Sequence, residues 1–220
     1  MQGNLTPLRM LPTWLPDAVR LYLDHTEDGL SLRALARRDG CHASTVMRTV
    51  RRYERRREDP LMDEALHFLR IGTFLERADN TARLLDVKYH LLLPAGERVG
   101  GQLDYFQWTT LLREVSALTA YRWVYRESVR PWLVADLLVL NRQMPRSLAS
   151  CQGMIVSYLE KLATDYGRRG PAQRLASNRL SQFNEAKIED IFQSGLHEYI
   201  QGFLNENNAL AAAVHEQYLV

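Results

Sequence analysis

Apolar residues recur at spacings of three and four along nearly the whole chain, and β-branched alternation never persists. Such spacing turns one face of a helix toward a core and leaves a strand no continuous face to bury, so helix is predicted throughout. The breakers agree with that reading. Pro16 suits a first helical position, opening a helix through Leu23 that stops before Glu27-Asp28-Gly29. Ser31 caps a second helix reaching about Arg38, Gly40 supplies a left-handed turn, and a third helix runs from Ala43 toward Arg57. Pro60 can begin the next helix but disfavours continuing the previous one. One long pattern then covers residues 61–93, with Gly72 as a point of bending. Past a glycine-bearing loop at 94–101, helices are expected at 104–127, 132–140, 145–167, 175–183 and 188–217, the last broken near Gly195.

The fold class is therefore all-α, an N-terminal helix-turn-helix followed by an antiparallel helical bundle. Residues 1–60 form a basic head and residues 61–220 a longer helical domain. With 220 residues and 46% hydrophobic side chains, the chain can bury a core. No apolar run approaches the roughly 18 residues that span a bilayer. The first sixteen residues carry prolines and an Arg without the core of a secretion signal, so the cytoplasm is expected, with no membrane partner. Cys41 and Cys151 stand far apart with no CxxC partner, which fits reduced thiols.

Charge is distributed unevenly. Residues 1–60 hold 11 Arg against 8 acidic residues, while residues 61–220 hold 17 basic against 18 acidic. Residues 31–57 alone contain nine Arg opposed by Asp39 and Glu54. A local excess of this size is the footprint of a polyanion-binding surface, and a solvated helix face gives the same count. Within it, Ala36 is small where helices cross, Gly40 makes the turn, and Leu35, Val46 and Val50 can fill a shared core. The outward residues at the start of and along the third helix are then His42, Ser44, Thr45, Arg48, Arg51 and Arg52, preceded by Arg37 and Arg38. Hydroxyls and guanidinium groups suit base edges and phosphates, which makes DNA the candidate partner. Residues 11–66 also resemble a bacterial helix-turn-helix head found before a C-terminal domain of unknown function, through Leu35-Ala36-Arg37-Arg38, Gly40-Cys41-His42 and Ser44-Thr45-Val46. His42 departs from the commoner motif, in which a Ser caps the recognition helix more effectively.

Farther on, residues 74–87 place Glu76, Asp79, Arg83 and Asp86 on one helix face and Leu75, Ala78, Ala82 and Leu85 on the other. Asp79 can pair with Arg83, and Arg83 with Asp86, each worth about 0.2–0.5 kcal/mol if exposed. A second constellation, Arg122, Tyr125 and Arg126, can clasp carboxylates or phosphates, or form inter-helix salt bridges to Asp79 or Asp86. Met144-Pro145-Arg146-Ser147 opens a helix, either as an anion site or as ordinary capping.

From about His67 to Val220 the chain resembles the alpha-E domain family. The likeness is carried by Leu75-Glu76-Arg77-Ala78-Asp79-Asn80-Thr81-Ala82-Arg83, by Tyr125-Arg126 with Pro131-Trp132, by Pro145-Arg146-Ser147, and by Ile188-Glu189-Asp190-Ile191-Phe192 with Gly195-Leu196-His197-Glu198. The resemblance implies motif residues Glu76, Arg77, Asp79, Arg83, Asp86, Arg122, Tyr125, Arg126, Arg146, His197 and Glu198. It also implies partnership with an ATP-grasp ligase or a transglutaminase-like protein in peptide or amide metabolism. An earlier helical half with its own Glu-Arg motif is expected in that family, and the basic head stands in its place. Division of the domain there is expected to expose Leu75, Ala78, Ala82 and Leu85, and to favour a homodimer through residues 68–220.

No catalytic residue, metal or cofactor is expected. Glu64 and His67 give a single Glu-x-x-His, short of the paired motifs of a di-iron bundle. Neither His197-Glu198 nor His215-Glu216 completes HExxH, and no P-loop or dinucleotide fingerprint occurs. The leading expectation is a noncatalytic accessory or scaffold with a DNA-binding head; the alternative is a transcriptional regulator whose helical part dimerises or senses a ligand.

Overall fold

A computed structural model describes residues 16–56, 59–90 and 101–219, and all regular structure within them is helical. The elements are α1 (Asp17–Thr26), α2 (Leu32–Arg38), α3 (Ala43–Arg56), α4 (Pro60–His90), α5 (Gln102–Glu114), α6 (Leu118–Tyr125), α7 (Pro131–Val139), α8 (Leu148–Asp165), α9 (Pro171–Glu185), α10 (Ile188–Ser194) and α11 (Leu196–Tyr218). The chain divides into two compact units, Met1–His67 and Phe68–Val220, and α4 contributes to both.

In the first unit α1, α2 and α3 pack pairwise. Ser31 starts α2 by accepting the Ala34 N–H at 3.2 Å. Gly40, at φ +62°, ends it, and the Cys41 N–H reaches back to the Ala36 carbonyl at 3.0 Å. That bond satisfies a helix-end carbonyl and turns the chain into α3. Val46, Val50 and Tyr53, spaced four and three apart, are the buried face of α3. They share the core with Leu35, Ala36, Leu21, Tyr22 and Leu23. The Tyr22 and Tyr53 rings stack at 5.6 Å, and the Tyr22 hydroxyl donates to Glu54 at 2.9 Å. Asp24, only 3% exposed, accepts from Arg38 Nη1 at 2.5 Å, so its buried charge is compensated.

The second unit is organised around α7, whose Val134, Ala135, Leu137, Leu138 and Val139 are all buried. Helices α8 and α9 follow one another through a short turn at Gly167, which has φ +65°, and they pack as an antiparallel pair. Each donates a buried side-chain amide to the other's backbone: Gln152 to the Ala176 carbonyl at 2.9 Å, and Gln173 to the Leu159 carbonyl at 3.0 Å. Helix α11 is tied to α4 by Asn207 Nδ2, which donates to the Leu75 carbonyl at 3.1 Å. Lys88 and Asp104 form a buried ion pair of 2.9 Å between α4 and α5, and the Lys88 ammonium lies 5.2 Å from the Trp108 ring centre.

Two expectations from sequence change here. The single helix anticipated at 104–127 is two, broken at Ser116, which adopts φ +55°. Val115 and Ala117 are both buried, and the Ala117 N–H bonds the Leu112 carbonyl at 2.7 Å, so packing closes a left-handed turn without a glycine. The stripe expected to be exposed is covered within this unit. Ala78, Ala82 and Leu85 are buried and Leu75 packs against the same core.

Candidate functional site

Helix α4 carries the Glu-Arg motif, and its buried Ala78, Ala82 and Leu85 fix how the motif faces the rest of the second unit. On the adjoining side Thr81, itself buried, donates to the Arg146 carbonyl at 2.9 Å. Arg77 reaches the Pro145 carbonyl at 3.5 Å, with its guanidinium carbon 4.9 Å from the Phe74 ring centre. The loop that meets these groups is stiffened from within. Asn141 Oδ1 accepts the Gln143 and Met144 N–H groups at 2.9 Å each, and Ser147 donates to the Asn141 carbonyl. Ser147 also accepts the Ser150 N–H at 3.0 Å, which caps α8. Cys151 follows one turn later, fully buried, with Sγ 3.7 Å from the Pro145 carbonyl. Burial pushes its thiol up to about 12, against the opposing pull of the Arg77 and Arg146 charges. The thiol is thus held protonated and inward, the reverse of an activated nucleophile.

A second set of bonds lies farther along α4. Arg83 grips Asp79 through two hydrogen bonds, of 2.7 and 3.2 Å. Asp86 turns instead to α11, accepting His197 Nδ1 at 2.6 Å and Gln201 Nε2 at 2.9 Å. Two motifs separated by most of the second unit's length therefore meet through Asp86 and His197. Gln201 was not among the residues expected, although its place four residues after His197 puts it on the same helix face. Glu76 is exposed. Glu198, also exposed, folds over Gly195, where a Cβ would overlap its carboxylate; Gly195 also sits at φ +103°.

The third group behaves differently. Tyr125 donates to Asp136 at 2.5 Å, and burial together with that carboxylate raises its hydroxyl pKa above the ordinary value. Tyr121, fully buried, donates to the Ser128 carbonyl at 2.9 Å and accepts the Arg130 N–H at 3.1 Å. These tyrosines build the connection from α6 to α7. Arg122 and Arg126 are exposed, and among the described residues neither joins Asp79 or Asp86, whose partners are Arg83 and the His197–Gln201 pair. Of the two roles open to them, the inter-helix bridge to Asp79 or Asp86 is not formed among the described residues.

In the first unit, Arg37, Ser44, Thr45, Arg48, Arg51 and Arg52 are exposed, with Arg48 donating to Thr45 Oγ1 at 3.4 Å. His42 precedes α3 and accepts the Ser44 N–H through Nδ1 at 3.3 Å, supplying the cap expected of a serine. Arg38 is engaged inside the unit by Asp24 and by Asp39, at 2.5 and 2.6 Å. Its guanidinium is correspondingly held more firmly protonated, with the Asp39 bond the largest cause.

Among the described residues no three His, Cys, Asp or Glu side chains gather as a metal site, and no helix is long and apolar enough to cross a membrane. These features define an all-α protein whose Glu-Arg helix is cross-tied to a proline-bearing loop and to its last helix. The chain belongs to the Alpha-E family, described as a predicted alpha-helical domain with a conserved ER motif, which matches residues 22–219. The match begins inside α1 and so takes in most of the three-helix unit. No curated protein and no solved structure matches the chain.

Proposed function

We propose that this chain is a noncatalytic Alpha-E accessory protein that binds DNA through α3 and works beside an ATP-grasp ligase or a transglutaminase-like protein. The observation that carries the DNA reading is the division of α3 into two faces. Val46, Val50 and Tyr53 point inward, while Ser44, Thr45, Arg48, Arg51 and Arg52 stay in solvent. Guanidinium groups one turn apart on a helix can reach successive phosphates, and the hydroxyls at the start of α3 suit base edges. The noncatalytic reading is supported by the second unit, where the motif side chains Arg77, Asp79, Arg83, Asp86 and His197 bond to protein groups and Cys151 is sealed. The ligase-class partner rests on the family resemblance.

A transcriptional regulator is the second reading, favoured by the same helix. Fluorescence anisotropy of a labelled duplex titrated with the full chain tests the shared element. Binding at low salt supports it, and an unchanged anisotropy at low salt overturns both DNA readings. Preference for one sequence over random duplex separates the regulator from an accessory that merely sits on DNA.

A further inference from the structure

Helix α6 and its connection to α7 carry a surface that the second unit's packing does not use. Trp123 is 76% exposed, Val124 and Trp132 are exposed as well, and Arg122, Arg126 and Arg130 stand among them. The single acidic residue between Leu118 and Trp132 is Glu127, which lies 3.5 Å from Arg130. Arg122 and Arg126 are one turn apart and form no ion pair among the described residues. Arg130 stacks over Trp132 at 5.2 Å.

From this surface we infer a docking site for an acidic segment of a partner protein. Trp and Arg dominate the energy of protein interfaces, and here both kinds are grouped in solvent. The uncompensated guanidinium groups call for carboxylates, which they can grip in pairs, and the indoles call for apolar side chains between those carboxylates. Duplex nucleic acid answers the charge, but its base faces are already stacked within the helix and leave Trp123 and Val124 without a role; a single strand could stack a base on Trp123 but gives Val124 no apolar partner. A lipid surface is the weaker fit, because α6 is 8 residues long and lacks the extended amphipathic face of an interfacial helix. The scaffold beneath is rigid, since Tyr121 and Tyr125 tie the connection to Ser128, Arg130 and Asp136. The site gives the proposed accessory role a surface and a partner chemistry, and it rests on that role but not on DNA binding by the head.

The test uses the full chain and a short fluorescent peptide alternating Glu and Leu, with Gln-Leu and Lys-Leu peptides as controls and vesicles of phosphatidylglycerol as a further probe. The Glu-Leu peptide should bind best, and more weakly as salt rises. Arg122→Gln with Arg126→Gln, and separately Trp123→Ala, should each weaken it by about tenfold while leaving helicity and duplex binding unchanged. The inference is overturned if the Glu-Leu and Gln-Leu peptides bind alike, if none binds at low salt, if the substitutions have no effect, or if only vesicles bind. Duplex binding measured on the same samples reports on the head, and copurification of the full chain with an ATP-dependent ligase reports on the accessory role, so failure of the docking site is distinguishable from failure of either reading.

Discussion

The Asp86 carboxylate on α4 lies 2.6 Å from Nδ1 of His197 on α11, and Gln201 completes the clasp at 2.9 Å. All three residues are only partly exposed, so removing the carboxylate leaves two donors in a place that water reaches poorly. Asp86→Ala should therefore destabilise the fold by about 1–3 kcal/mol, chiefly through the stranded donors. At about 2–4 °C per kcal/mol, a thermal melt reads this directly. A double-mutant cycle with His197→Ala should show non-additivity, whereas independent effects would remove the Asp86–His197 bond from the account.

Cys151 supplies a pH dependence. Its folded thiol is raised from the ordinary 9.0 to about 12, so ionisation favours the unfolded chain. Stability from this group is complete below pH 9, falls as pH rises, and is lost once pH passes about 12. Tyr125 is raised in the same direction and extends the alkaline loss. Alkylation at neutral pH should modify the half-exposed Cys41 and spare Cys151 until the protein unfolds. Mass spectrometry of the alkylated chain checks this, and early labelling of Cys151 would contradict its burial.

Ser116 holds φ +55° at the break between α5 and α6, a conformation that costs a residue with a Cβ about 1 kcal/mol. Ser116→Gly should relieve that cost and raise the melting temperature by a few degrees, roughly 2–4 °C. A lower melting temperature would mean that the serine side chain contributes more than its backbone costs.

These positions also show which parts of the fold and site were legible in the sequence. The caps and breakers that marked helix ends are local chemistry: Ser31 and Gly40 act where their side chain, or its absence, permits. The break at Ser116 was hidden because burial of Val115 and Ala117 enforces it, and that burial is a long-range fact. The Asp79–Arg83 pair could be read from a spacing of four on one helix. The partner of Asp86 could not, since periodicity orders residues within a helix and is silent about which distant helix lies alongside. The same silence applied to Thr81 and Arg146, which meet only because Asn141 and Ser147 shape the intervening loop.

Arg38 illustrates a role that charge counting obscured. Its contribution to the basic excess suggested a phosphate contact, yet it neutralises the buried Asp24. Arg38→Ala should cost the first unit about 2 kcal/mol, because the buried carboxylate loses a hydrogen-bonded cation, and the partly exposed arginine moderates the penalty. Arg37→Ala, at an exposed position, should change stability by less than about 0.5 kcal/mol. Circular dichroism melts of the two variants compare these effects, and equal melting temperatures would contradict the structural role given to Arg38.

The central claim is that the exposed face of α3 binds DNA, and the salt dependence of duplex affinity tests it most directly. Each phosphate contact contributes about 0.9 to the slope of log K against log salt concentration. The wild-type chain should bind with a clear negative slope, and the variant with Arg48, Arg51 and Arg52 all changed to Ala should bind more weakly, with a slope shallower by up to about 2.7. Absence of binding by the wild type at low salt, or an identical slope in the variant, would contradict the account.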